Sequence, residues 1–69
     1  MFRLKFLRKS KHLSQVRLAM DLNVNQNTIS RYENMNVEAD YKMLIAIADY
    51  FDVSIDYLLG RTDNPKMNR

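Results

Sequence analysis

The sequence predicts an all-α fold, a compact bundle of five short helices, and three observations carry that expectation. One Gly and one Pro in 69 residues are too few for a turn-rich β protein and suit helices joined by short links. Apolar residues recur three and four positions apart along most of the chain, the spacing of one helix face. Ser14, Asn25, Asp40 and Ser54 each stand just before such a stretch. There a short polar side chain can accept from the unpaired N–H groups of a first turn. At this length only about 60% of the unfolded chain's surface is buried on folding, so one domain of modest stability is expected. A hydrophobic content of 46% is ample for its core.

The first helix is expected over residues 2–10, with Leu4 and Leu7 on its inner face and Lys5, Lys9 and Lys11 outside. Arg8, beside Leu7, needs a partner if it turns inward. His12 falls in the following link; with no Cys and no second His it cannot found a metal site. Ser14 caps the second helix, and Leu13 before it can pack back as a hydrophobic staple. Leu18, Ala19 and Leu22 form its apolar face, Ala19 being small enough to admit a close neighbour. Arg17 and Asp21 make an i, i+4 pair outside. Asn23 can end this helix in the left-handed conformation that Asn tolerates best after Gly.

Asn25 caps the third helix, whose Ile29 and Tyr32 lie three apart on one face. Gln26, Asn27, Ser30 and Arg31 are left on the other. Gln, Asn and Arg carry the paired hydrogen-bonding groups that match adenine and guanine edges in the major groove. A polar outer face is by default a solvated one, but two further features favour a reading surface. The link 22–24 has the length of a helix-turn-helix connection. Residues 1–31 also carry seven cations against Asp21 alone, whereas residues 32–60 carry only Lys42 against six carboxylates. That asymmetry is expected when one end of a small domain faces phosphates. Membrane-surface binding by a basic amphipathic first helix is the rival explanation, and nothing downstream supports it.

Asp40 caps the fourth helix, where Met43, Leu44, Ile47, Ala48 and Phe51 form a wide core-facing stripe. After the turn Asp52-Val53, Ser54 caps the fifth, with Asp56 in the first turn, Ile55, Leu58 and Leu59 apolar, and Gly60 as its stop. Residues 61–69 read as a polar, mobile tail.

These residues resemble a known family. L-S-Q-V-R-L-A-M-D-L-N-V-N-Q-N-T-I-S-R-Y-E-N, followed later by F-D-V-S-I-D-Y-L-L-G, looks like the helix-turn-helix of the phage repressor and Cro class, Xre-like regulators. The resemblance covers residues 4–60, and it implies a lambda-repressor-like bundle with a DNA-binding domain over 1–60. By position it implies base reading by Gln26, Asn27 and Arg31, with Ser30 joining, and phosphate contacts from Gln15, Asn25, Thr28 and Asn34. It also implies an ion pair between Arg8 and Glu33, and dimerisation through the fifth helix and the residues beyond it, with Ile55, Tyr57 and Leu58 as candidates, each of which could equally be core. Three positions depart from the family pattern: Asn23 in place of a turn Gly, Met35 where Gly is frequent, and the acidic link Asn36-Val37-Glu38-Ala39-Asp40 in place of a basic one.

The expected function is therefore sequence-specific double-stranded DNA binding by a transcriptional regulator, a repressor acting as a homodimer on two half-sites. The alternative is a protein-interaction module such as an antitoxin-like partner. With no glycine-rich phosphate loop, nucleophile–histidine arrangement or metal-ligand cluster, no enzyme activity, cofactor or small-molecule ligand is expected. The absence of Cys excludes disulfides and fits a reducing, cytoplasmic setting. No apolar run approaches the roughly 18 residues of a membrane span, and the charged N-terminus is not a secretory signal.

Overall fold

The computed structural model describes residues 2–34 and 38–66. They form five helices: α1 (Leu4–Ser10), α2 (Gln15–Leu22), α3 (Gln26–Glu33), α4 (Tyr41–Phe51) and α5 (Ile55–Leu58). The all-α expectation holds. Each helix contributes one side chain that is essentially fully buried: Leu4, Leu18, Ile29, Ile47 and Leu58. Leu7, Ala19, Ala48, Phe51 and Val53 complete the core. The two buried alanines lie on α2 and α4, where a side chain without bulk lets neighbouring elements approach closely.

Four N-termini are closed by their own cap residues. Oxygens of Ser14, Asn25, Asp40 and Ser54 accept from the backbone N–H of Arg17, Thr28, Met43 and Tyr57, respectively. Left-handed residues other than glycine follow three helices, His12 at φ 58°, Asn23 at φ 60° and Asp52 at φ 56°, and Gly60 at φ 78° follows α5. Asn23 and Asp52 are themselves the C-caps of α2 and α4. Each left-handed turn folds a later N–H back onto its helix: Leu13 to the Arg8 carbonyl at 3.1 Å, Val24 to Ala19 at 2.9 Å and Val53 to Ala48 at 2.9 Å.

The ends of the chain differ from the sequence expectation. α1 starts at Leu4 rather than Phe2, because Arg3 is drawn to α5: its N–H donates to the Leu58 carbonyl at 2.8 Å. Its Nε donates to the Tyr57 carbonyl at 2.8 Å, and its guanidinium lies 4.3 Å from the centre of the Tyr57 ring. Residues 61–66 do not trail away as the expected tail. Arg61 N–H donates to the Asp56 carbonyl at 2.8 Å, Ser54 N–H to the Pro65 carbonyl at 2.9 Å, and Arg3 Nη2 reaches Thr62 O and the Asp63 carboxylate.

One dimer candidate is corrected. Leu58 has no exposed surface and cannot meet a second copy. α5 is a single turn, so it has one inward position, and Leu58 fills it. Tyr57 is half-buried beneath Arg3, whereas Ile55 is exposed. Among the described residues no helix is long and apolar enough to cross a membrane. Met35, Asn36 and Val37, where the departures at the exit of α3 fall, lie outside the described residues.

Candidate nucleic-acid interface

The surface is built on α3. Ile29 is completely buried and Tyr32 packs against the core, so the opposite side of the helix must face outward. Gln26, Asn27 and Arg31 are exposed on it, and Ser30 is half-buried. The capping oxygen of Asn25 accepts twice, from Thr28 N–H at 2.8 Å and Thr28 Oγ1 at 3.0 Å. That leaves the Asn25 amide hydrogens as its outward groups. At the other end Asn34 Nδ2 lies 3.4 Å from Ser30 Oγ.

Behind α3 runs a polar chain that begins in the interior. The Glu33 side chain is only 1% exposed and that of Arg8 11%. Arg8 Nε donates to Glu33 Oε2 at 2.6 Å and Nη2 to Oε1 at 3.2 Å, a two-point pairing. Arg8 Nη1 donates to the Leu13 carbonyl at 2.8 Å, tying the α1–α2 link to the same group. Glu33 Oε1 also accepts from Gln15 Nε2 at 3.0 Å, and Gln15 Oε1 accepts from Gln26 Nε2 at 3.4 Å. A carboxylate can only accept, so the Gln15 amide nitrogen must point inward and its oxygen toward Gln26. The four side chains therefore link three helices, and their order is fixed by chemistry.

On the far side of α2, Tyr50 of α4 donates its hydroxyl to Asp21 Oδ2 at 2.5 Å, and Arg17 Nε donates to the same oxygen at 3.2 Å. The Tyr50 hydroxyl lowers the Asp21 pKa; desolvation opposes this and Arg17 adds to it. The same bond raises the pKa of Tyr50. Sequence reasoning found the Arg17–Asp21 pair from its spacing but not Tyr50, which lies 29 residues away. It named Leu59 as apolar but not as a dimer candidate; Leu59, the C-cap of α5, is exposed four residues from Ile55.

A helix-turn-helix family model matches residues 4–58, from the first residue of α1 to the last of α5. The chain belongs to the phage repressor and Cro type of this family. Three curated relatives of this helix-turn-helix domain come from Bacillus subtilis (strain 168). The uncharacterized HTH-type transcriptional regulator YqaE is 42% identical over 64 residues, covering 93% of this chain and 55% of the relative. The uncharacterized HTH-type transcriptional regulator YobD is 35% identical over 63 residues, covering 91% and 56%. The HTH-type transcriptional regulator ImmR is 35% identical over 66 residues, covering 96% and 52%. This helix-turn-helix chain thus spans about half the length of the relatives it matches. No solved structure matches it significantly.

Proposed function

We propose that this helix-turn-helix domain reads double-stranded DNA through α3 as part of a transcriptional regulator. The observation that carries the reading is the division of α3. An apolar back is sunk in the core, while Gln26, Asn27 and Arg31 stand exposed in front. The relatives' description as transcriptional regulators agrees with it. Gln26 and Asn27 suit adenine, and Arg31 suits guanine, each good pair supplying roughly 1–3 kcal/mol of discrimination. The Glu33–Gln15–Gln26 chain supports a fixed orientation for the Gln26 amide, which is what paired recognition of one base requires. Gln15, Asn25, Thr28 and Asn34 would contact phosphates; the Asn25 amide hydrogens are free to do so, whereas Gln15 and Thr28 would first have to turn a donor away from Glu33 and Asn25.

A single domain covers a short footprint, so the working form is a dimer on two half-sites about one helical turn apart, and its action is repression. With Leu58 buried, the α5 surface open to a second copy comes down to Ile55 and Leu59, both partly exposed and one turn apart.

The test is selection of bound duplexes from a random pool, followed by mobility shifts of the winners across a salt series. Enrichment of a two-part motif and a steep fall of affinity with salt are expected. No shift on any duplex at low salt would overturn the reading and favour a protein partner. Arg31→Ala should narrow the gap between selected and random duplexes by about 5-fold or more, the lower bound of a good base pair, leaving weak non-specific binding. Equal loss on both duplexes would make Arg31 a phosphate clamp instead.

A further inference from the structure

We propose that this chain carries a second self-association surface, separate from α5, in which the outer face of α1 of one copy docks on the outer face of α4 of another. The first observation is on α4. Its residues Ile47, Ala48 and Phe51 face the core, which turns Lys42, Ile45 and Asp49 outward with Tyr41 and Asp52 beside them. Tyr41 is 85% exposed and Ile45 50%. Two large apolar groups at one end of this stripe are therefore left in water, and Asp49 and Asp52 occupy the other end.

That acidic end carries an electrostatic cost in the isolated chain. A helix C-terminus bears partial negative charge and favours cations, yet the last turn of α4 has no basic residue. Among the described residues neither Asp49 nor Asp52 makes an ion pair. The surface therefore calls for a partner that brings an apolar side chain together with positive charge.

The chain supplies that partner itself. On α1 the buried residues are Leu4, Leu7 and Arg8, which leaves Lys5, Phe6 and Lys9 on the outer face. Phe6 is 56% exposed, and both lysines are exposed and unpaired among the described residues. A large aromatic flanked by two ammonium groups complements Tyr41 and Ile45 followed by two carboxylates, Lys42 being the one like charge on that stripe. Phe6 meets Ile45 and Tyr41, and Lys9 reaches the Asp49 end of α4. Because the two surfaces are unlike, a pair joined this way still offers one α1 and one α4 unless the contact closes on itself. One helix laid on another buries less than the ~1,200 Å² of a stable interface. The association is accordingly weak in free solution and gains strength where copies are held side by side, through their effective concentration.

The test needs no DNA, so its outcome is independent of whether α3 reads a duplex. Sedimentation equilibrium of the full chain from micromolar to millimolar concentration, at low and high salt, should show an association that salt weakens several-fold. Lys9→Asp alone and Asp49→Lys alone each place like charges across the contact, and each should stay monomeric at this surface. An equimolar mixture of the two restores opposite charges in both directions and should associate at least as well as the unaltered chain. Phe6→Ser should abolish the contact, with its helical circular dichroism retained because the side chain lies outside the core. A mixture no better than either variant alone would overturn the proposal. So would association that survives Lys9→Asp and Phe6→Ser but disappears with Ile55→Ser, which would assign it to α5.

Discussion

Glu33 receives Arg8 twice and Gln15 once while almost wholly buried. A buried pair is weak evidence of net stability, because desolvation offsets much of the attraction, but removing one partner strands the other. Glu33→Ala should therefore cost about 3–5 kcal/mol, and at roughly 4–8 °C per kcal/mol for a domain this small the melting temperature should fall by more than about 10 °C. The paired change Arg8→Met with Glu33→Leu should recover most of that loss, since no charge is then left unpaired. If the double variant melts as low as Glu33→Ala, the bonds to Leu13 and Gln15 carry the stability instead. At the same scale, His12 stands in the left-handed region at φ 58°, which costs a residue with a Cβ about 1–2 kcal/mol. His12→Gly should raise stability by about 0.5–1 kcal/mol, reduced from that figure by glycine's larger entropy loss on folding. Asn23→Gly, at φ 60°, should gain less, because Asn already tolerates that region. Thermal melts of the two variants side by side would rank them.

At the scale of the elements, what could be read from the sequence is what is local. The caps Ser14, Asn25, Asp40 and Ser54 and the stop at Asn23 act within three or four residues, so they leave a pattern in the chain. The stripe of α4 was legible for the same reason. The position of Leu58 was not, because α5 is one turn long and shows no periodicity. Nor were the long-range ties: Arg3 meets Tyr57, Thr62 and Asp63 across 54 to 60 residues, and no spacing rule links them. The Arg8–Glu33 pair was suggested only by family resemblance. The Tyr50–Asp21 bond between α4 and α2 is a further long-range tie, and it has a pH signature. Asp21 titrates below its ordinary 3.8 in the fold, so its contribution is present above that value and lost as pH falls through the lowered one. Tyr50 titrates above its ordinary 10.0, so its contribution is present below that value and lost as pH rises through the raised one. The difference in melting temperature between the native chain and Tyr50→Phe should hold steady across neutral pH and close at both extremes. A difference that persists at both ends would mean that the Tyr50 ring acts by packing alone.

Across the whole molecule, charge is divided along the chain, with the cations concentrated before residue 32 and the carboxylates after it. If the basic part faces DNA, the carboxylates of α4 and α5 are left on surfaces turned from the phosphates, where their repulsion costs little. The proposed phosphate contacts from Gln15, Asn25, Thr28 and Asn34 are all neutral, so they shape the fit without releasing counterions. On that reading the ions would be released by Lys11, Arg17 and Arg31, all exposed, and by Lys5 and Lys9 only where no second copy's α4 covers them. Two kinds of variant should therefore separate. Gln15→Ala should weaken binding while leaving the slope of log affinity against log salt unchanged. Lys11→Ala should flatten that slope by about 0.9 for each phosphate no longer neutralised. Titrations of one selected duplex at several salt concentrations measure both quantities. Should Gln15→Ala flatten the slope as much as a lysine change does, the division of roles between neutral and charged contacts would be overturned, because the Arg8–Glu33 pair that Gln15 adjoins is buried and already neutral.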